Sequence, residues 1–183
     1  QVFEAIFNRK ANGKNTVTPL DGGEPVLVAE RNSLHAMGGD KVKVTLLARR
    51  KHHVREAQVV EILERNDKSF VGKLEVRKDF AFLLTEDRTL ANDIFIPKKA
   101  LKGGKSGDKA VVKITEWPEH AKNPIGKVVD ILGQSGDNTT EMHSILAEYG
   151  LPYAYPKSVE DEAEKIDPGI TAEEIGLRED LRE

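Results

Sequence analysis

Cysteine is absent from this chain of 183 residues, and so is any long apolar run. The lack of cysteine excludes disulfides, thiolate metal sites and thiol nucleophiles. No stretch approaches the roughly 18 to 20 apolar residues of a membrane-spanning helix, and no charged-then-apolar leader opens the chain. We therefore expect a cytoplasmic protein. Because the first residue is Gln1, we also expect a piece of a longer polypeptide.

Aromatic residues are few as well, with six Phe, three Tyr and one Trp. The net charge is only −3, but its distribution is uneven: residues 1–137 carry a net +5 and residues 138–183 a net −8. Such asymmetry is typical of different functions on the two sides of a boundary. The positive excess of the first part allows a polyanionic partner without requiring one.

An internal repeat organises the first two thirds of the chain. Three separated blocks recur at offsets of 68, 69 and 68: residues 39–44 and 107–114, residues 59–63 and 128–132, and residues 25–29 and 93–97. Three matches at almost constant offset predict two copies of a domain of about 65 residues.

Each copy has the pattern of short strands separated by glycine-rich turns. Val26 and Val28 in the first copy, like Ile94 and Ile96 in the second, alternate with the period of two that a half-buried strand requires. Five short strands in about 65 residues favour a small closed barrel. The sequence therefore predicts a mainly β protein with two tandem five-stranded Greek-key barrels of the oligonucleotide-binding (OB) type, over residues 1–66 and 67–137.

After residue 137 the pattern becomes helical. Apolar residues at 142, 145, 146 and 149 predict a helix that Gly150 ends. Further on, Ser158 with Asp161, and Thr171 with Glu174, resemble capping boxes of two more helices. We expect residues 138–183 to be the acidic, helical start of a further domain.

No catalytic or metal-binding constellation is recognisable. The five histidines show no metal-ligand spacing. The acidic residues of 160–164 are nearly consecutive, so on a helix they would point in different directions, as on a solvated face, and would not converge on one ion. No nucleophile has an evident base. The sequence predicts no catalytic residue and no metal site in this chain.

The phenylalanines are more informative. Phe80 and Phe82 lie two apart and so project from one face of a strand, in line with Lys78. If Ile94 and Ile96 face the core, Phe95 faces outward. Exposed rings beside lysines can stack on unpaired bases. The alternative, that Phe80 and Phe82 are core residues, is equally compatible with the spacing.

Two motifs resemble those of cold-shock domains. Residues 78–83, Lys-Asp-Phe-Ala-Phe-Leu, resemble the first ribonucleoprotein motif of that family, and residues 93–97, Asp-Ile-Phe-Ile-Pro, resemble the second. The resemblance implies that Phe80, Phe82 and Phe95 stack on bases. Pro97 stands where the family usually has histidine. In the first repeat, the positions of the aromatics are occupied by Thr16, Thr18, Leu27 and Ala29. A base-stacking role of the first repeat is therefore in doubt.

Two cold-shock-like repeats followed by residues 141–152, which end in Gly-Leu-Pro, resemble bacterial exoribonucleases of the ribonuclease R type in the ribonuclease II family. The resemblance implies that the parent is a processive, hydrolytic 3′→5′ exoribonuclease that uses a divalent metal such as magnesium. This chain would then be the inactive portion that captures and guides single-stranded RNA towards the catalytic part. The predicted RNA-binding residues are Phe80, Phe82, Phe95, Lys73, Lys78, Lys98 and Lys99, with Arg49, Arg50 and Lys51 in an auxiliary loop.

Two other classes stay open. Tandem OB barrels also occur in non-catalytic RNA chaperones and translation factors, although an acidic tail repels phosphate. In a protein-interaction module, the phenylalanines would instead fill a partner's pocket.

Overall fold

A computed structural model describes residues 1–48, 54–90, 92–166, 168–170 and 172–177. Its contacts group the chain into two compact units, Gln1–Leu151 and Pro152–Glu183. The first unit contains both repeats and one helix, and the mainly β fold class is confirmed. The domain boundaries after residues 66 and 137 stay predictions.

The first repeat forms a five-stranded sheet with the strand order β3-β2-β1-β4-β5. Its two end strands meet through one isolated parallel bridge between Leu27 and Glu56. The strands are β1 (Val2–Asn8), β2 (Asn15–Pro19), β3 (Val26–Val28), β4 (Lys41–Leu46) and β5 (Ala57–Glu64). The sheet is a half-barrel, which we call the first barrel, and its core includes Phe7, Val17 and Val42.

The second repeat forms a closed barrel with the order β10-β8-β7-β6-β9. Its strands are β6 (Ser69–Val76), β7 (Phe80–Thr85), β8 (Ile94–Pro97), β9 (Asp108–Glu116) and β10 (Ile125–Gln134). Renumbered within the repeat, this is the connectivity of the first barrel. The parallel contact that closes it, Ile125 with Phe95, falls at the position of the Leu27–Glu56 bridge. The core includes Leu74, Leu83 and Ile96.

The two barrels also share features outside their strands. A 3-10 helix follows the third strand of each, at Glu30–Asn32 and Lys98–Ala100. Before the fourth strand, Gly39 has a φ of 89° and Gly107 a φ of 95°, a left-handed conformation that glycine adopts without steric cost. The repeat that the sequence predicted is therefore present in turns as well as strands.

A buried aspartate follows each of these glycines. The carboxylate of Asp40 accepts hydrogen bonds from the backbone N–H groups of Met37 and Asn66, both at 2.8 Å, and from Nη1 of Arg65 at 3.0 Å. Asp108 accepts from the N–H of Lys105 and from Nε2 of Gln134, both at 2.8 Å. Each carboxylate thus fixes the turn that leads into the fourth strand.

A side chain of the first barrel reaches the second. The guanidinium of Arg9 donates from Nε to the carbonyl oxygen of Thr89 at 3.0 Å and from Nη1 to that of Ala36 at 2.8 Å, and its charge pairs with Glu30. It also lies 5.6 Å from the ring centre of Trp117. Each of the three guanidinium nitrogens thus has an acceptor, as a side chain that is only 7% exposed requires.

Three helices follow the barrels: α1 (Asn138–Glu148), α2 (Lys157–Ala163) and α3 (Ala172–Gly176). The predicted helix before Gly150 is confirmed as α1, which packs against β6, β9 and β10. The predicted cap at Ser158 is wrong. Helix α2 begins at Lys157, with Pro156 at its N-cap, so Ser158 lies inside the helix. Thr171 lies outside the described residues. Within the described residues, no helix has the length and apolarity needed to cross a membrane.

Candidate nucleic-acid interface

The two faces of β7 separate core from surface. Ala81 and Leu83 are fully buried, whereas Phe80 and Phe82 between them are only half-buried on the outer face. The two rings face outward because the interior of the closed barrel is already filled by Leu74, Leu83 and the isoleucines of β8. The alternative that Phe80 and Phe82 are core residues is therefore wrong.

Phe95 joins these two rings from the neighbouring strand. Ile94 and Ile96 are fully buried, so Phe95 points outward, and its Cα is paired with that of Phe82. The ring centres of Phe80, Phe82 and Phe95 lie 5.5, 5.6 and 5.8 Å apart. We call this group the aromatic platform. Because the three rings pack against one another, their side chains are already restricted. A ligand that stacks on them would therefore cost little additional conformational entropy.

Cations lie at one end of the aromatic platform. Lys78 is in the turn between β6 and β7, and Lys98 follows β8. The ammonium of Lys98 donates to the carbonyl oxygen of Lys78 at 3.0 Å, which holds the two residues together beside Phe80. Lys99 is exposed next to Lys98. At this end the structure brings together three of the predicted lysines.

Lys73 lies at the other end, exposed on β6 and paired with Leu84 of β7. Two residues along, Glu75 is paired with Phe82, and its carboxylate forms an ion pair with Arg77. The negative charge of Glu75, opposite Phe82, is therefore compensated. The aromatic platform is flanked by cations at both ends, an arrangement that suits a strand of alternating phosphates and bases.

Arg49, Arg50 and Lys51 lie outside the described residues. Their predicted auxiliary role stays a prediction, as does RNA contact by the seven residues at the aromatic platform.

The first barrel has no equivalent aromatic platform. Thr16 is paired with Leu27 as Phe82 is paired with Phe95. By the same register Lys14, rather than a threonine, stands at the position of Phe80, which corrects the alignment made from sequence. The first barrel therefore has a lysine, a threonine and a leucine where the second has rings.

A cleft where the barrels meet was not evident from the sequence. It has a volume of about 400 Å³ and is lined by three exposed cations, Lys10, Arg88 and Lys122, beside Trp117. These residues come from three loops that are distant in sequence, so no local motif could have revealed them.

Metal-dependent chemistry finds no support in this part of the chain. Across the described residues, no group of three or more His, Asp or Glu side chains is arranged to hold an ion. The residues that the structure describes therefore do not fit a catalytic divalent metal.

Comparison with known proteins agrees with this architecture. The family model of the cold shock domain matches residues 82–156, which include two of the three rings. Ribonuclease R of Aquifex aeolicus is 30% identical over 166 residues, which is 90% of this chain and 23% of that protein. The chain is similar in sequence to part of ribonuclease R over nine tenths of its own length.

Solved structures show the same fold. Ribonuclease R of Mycoplasma genitalium, in complex with ribose-methylated single-stranded RNA, superposes with a TM-score of 0.74 at 18% identity, covering 94% of this chain and 28% of that one. Yeast Ssd1, a pseudonuclease, superposes with a TM-score of 0.68 at 20% identity, covering 82% and 25%. The chain spans about a quarter of the length of the Aquifex aeolicus protein and of the Mycoplasma genitalium one.

Proposed function

We propose that this chain is the RNA-binding portion of a cytoplasmic, processive 3′→5′ exoribonuclease of the ribonuclease R type. In this proposal it captures single-stranded RNA and guides it towards a nuclease domain elsewhere in the polypeptide. The observation that carries the proposal is the aromatic platform, three rings in mutual contact on the outer face of a barrel with lysines at both ends.

Each part of this surface has a distinct role. The rings of Phe82 and Phe95 supply stacking faces, which every base accepts, so that binding has little sequence preference. Lys73, Lys78 and Lys98 neutralise phosphates and position the strand without reading its sequence. The metal that the parent enzyme needs would hold the attacking water and the leaving oxygen, and its carboxylate ligands would belong to the nuclease domain.

The decisive experiment compares two equivalent positions of the repeat. Phe82→Ala should weaken the binding of a fluorescein-labelled single-stranded RNA by about 5- to 150-fold, the loss of one stacking face worth about 1–3 kcal/mol. Thr16→Ala, the same position in the first barrel, is the matched control and should change the affinity little. Fluorescence anisotropy measures both.

Stability is measured on the same variants by urea denaturation. Since Phe82 lies on the outer face, its substitution should cost less unfolding free energy than the about 3–5 kcal/mol typical of a core Phe→Ala change. A folded Phe82→Ala protein with unchanged affinity would contradict the RNA-binding role of the aromatic platform. Equal losses of affinity in the two variants would contradict the assignment of that role to the second barrel.

A further inference from the structure

The turn that leads towards β4 has a backbone that is unusual for its residues. Leu34 and His35 have φ values of 50° and 55°, in the left-handed region. For residues with a Cβ this region is strained, and a bulky leucine there is a genuine outlier. Such a conformation persists only where the surrounding structure holds it, and it is typical of functional sites. We call residues 33–36 the His35 turn.

The second barrel contains the same turn with a glycine in place of the histidine. Gly103, which has a φ of 78°, stands 68 residues after His35. The hydrogen bond that closes the turn recurs at the same offset, donated by the N–H of Ala36 in the first barrel and by that of Gly104 in the second, at 2.9 and 3.0 Å. Glycine adopts this backbone without steric cost. The first barrel therefore has an imidazole at a position that suits glycine.

A second destabilising feature lies in the same turn. Ser33 is fully buried, and its hydroxyl has no hydrogen-bond partner among the residues that the structure describes. The equivalent residue of the second barrel is Leu101, whose side chain belongs to the hydrophobic core. A buried hydroxyl without a partner costs stability that a buried leucine does not. The first barrel thus departs from the repeat at two neighbouring positions, each time towards lower stability.

Contacts with the second barrel offset these costs. The ring of His35 lies against the indole of Trp117 and beside the carbonyl oxygen of Glu119. The guanidinium of Arg9 lies over the same indole and donates to the carbonyl oxygen of Ala36 in the His35 turn. The strain of the turn is therefore coupled to the contact between the barrels.

We propose that the His35 turn is a strained latch that holds the two barrels in one relative orientation. In the closed state, the stack on Trp117 offsets the strain of the turn. In the open state the barrels separate at this contact, the turn relaxes to an ordinary conformation, and the Ser33 hydroxyl and the indole reach water. Opposing contributions of similar size make an element with two discrete states, of which the open one is the minor state.

The state of the latch determines how the cations of the two barrels act. Lys10 of the first barrel lines the same cleft as Arg88 and Lys122 of the second. These three side chains can face one ligand together only while the latch is closed. The inference goes beyond the proposed function and does not depend on it, because the aromatic platform lies entirely within the second barrel.

Three variants of the chain distinguish a strained latch from an ordinary contact. His35→Ala removes the ring and keeps the strained backbone, whereas His35→Gly removes the ring and the strain together. Gly103→Ala is the matched control, because it adds a Cβ to the equivalent turn, where nothing lies within 4 Å of that atom. Acrylamide quenching of Trp117, the single tryptophan, measures opening of the contact. Urea denaturation measures stability.

His35→Ala should raise the open population by about 2- to 13-fold, which corresponds to an aromatic pair worth about 0.5–1.5 kcal/mol. His35→Gly should open about fivefold less than His35→Ala, because a turn without strain gains nothing by relaxing. Quenching of Trp117 should follow the same order. Gly103→Ala should raise the unfolding constant by about fivefold and leave the quenching unchanged.

A distance measurement tests the orientation of the barrels directly. Since the chain has no cysteine, Lys14→Cys and Lys127→Cys, at exposed positions in the first and second barrels, can carry a pair of spin labels. Pulsed electron paramagnetic resonance should give one narrow distance distribution for this pair. The distribution should broaden when His35→Ala is added, and less when His35→Gly is added.

Three results would overturn the inference. Equal opening in the two His35 variants, or more opening with glycine, would show that release of strain does not drive the separation. Quenching of Trp117 that neither variant changes would show that the His35 turn does not hold the contact. An unchanged distance distribution in folded His35→Ala would show that the turn does not set the orientation of the barrels.

Discussion

The imidazole of His35, in the first barrel, lies parallel to the indole of Trp117, in the second, with ring centres 4.5 Å apart and planes inclined by 4°. Nε2 of His35 lies 2.9 Å from the carbonyl oxygen of Glu119. Within the second barrel, Nε1 of Trp117 donates to the carbonyl oxygen of Ala121 at 3.1 Å. The two barrels are therefore joined by a stacked pair whose members are each held by a backbone oxygen.

Removing this stack should loosen the contact between the barrels. His35→Ala should lower the unfolding free energy by about 0.5–1.5 kcal/mol, the usual value for an aromatic pair. Trp117 is the single tryptophan and is only 7% exposed, so its emission should shift to longer wavelength as water reaches the ring. His120→Ala, at an exposed position, is the control. An unchanged spectrum in the His35 variant would show that the stack does not shield Trp117.

The two buried aspartates should differ in what they contribute to stability. Asp40→Ala leaves the backbone N–H groups of Met37 and Asn66 without an acceptor, at about 1–3 kcal/mol each. It also removes the ion-pair partner of Arg65, which is partly exposed and keeps its bond to the carbonyl oxygen of His35. Asp108→Ala leaves the backbone N–H of Lys105 and the side-chain amide of Gln134 without an acceptor, which should lower the unfolding free energy by about 1–3 kcal/mol. Urea denaturation followed by circular dichroism measures both. A larger loss for Asp108 would contradict this ranking.

RNA binding should depend strongly on salt. If lysines at the aromatic platform and the cations of the cleft neutralise four to six phosphates, the slope of log K against log salt should be about −3 to −4, at roughly 0.7 per phosphate for a single strand. Lys98→Ala should make that slope shallower, whereas Phe82→Ala should weaken binding at unchanged slope. A slope near zero between low and moderate salt would contradict phosphate contacts.

The start of α1 should be sensitive to acid. The backbone N–H of Gly136 donates to Oε1 of Glu141 at 2.8 Å, and this bond, followed by the contact with Lys109, lowers the pKa of the Glu141 carboxyl. A lowered folded-state pKa adds stability above the unfolded value of about 4.3, and this is lost as the pH falls through the folded value.

Glu141→Gln should therefore cost stability at pH 7, and the difference from the unmodified chain should shrink as the pH falls below about 4.3, the unfolded value. Glu148→Gln, at an exposed position on the same helix, should cost little at either pH. Thermal unfolding at a series of pH values measures both variants. A Glu141→Gln deficit that persists unchanged in acid would contradict a role for the carboxylate charge.

The isolated chain should not degrade RNA. Phosphodiester hydrolysis by a divalent metal needs clustered carboxylates to hold the ion, and the described residues contain no such cluster. We expect no release of mononucleotides from single-stranded RNA with Mg²⁺ or Mn²⁺. Release that a chelator abolishes, in a preparation free of other nucleases, would contradict this expectation.

Several features of the protein could be predicted from its sequence because they depend on neighbours along the chain. The repeat at an offset of 68, the strands that contain Val26 and Ile94, and the helix ended by Gly150 follow from period, turn chemistry and capping. So does the pairing of Phe80 with Phe82 on one strand face, since side chains in a strand alternate.

Alternation alone does not say which face is inward, and this only the tertiary structure decided. Closure of the second barrel fills its interior with Leu83, Ile94 and Ile96, which leaves the rings of Phe80, Phe82 and Phe95 outside. Strand register set the equivalence of Lys14 with Phe80. Packing of α1 on small residues turned Met142 to solvent, and barrel contact stacked His35 on Trp117. Each is a long-range arrangement, because it depends on which surfaces meet when distant segments pack together.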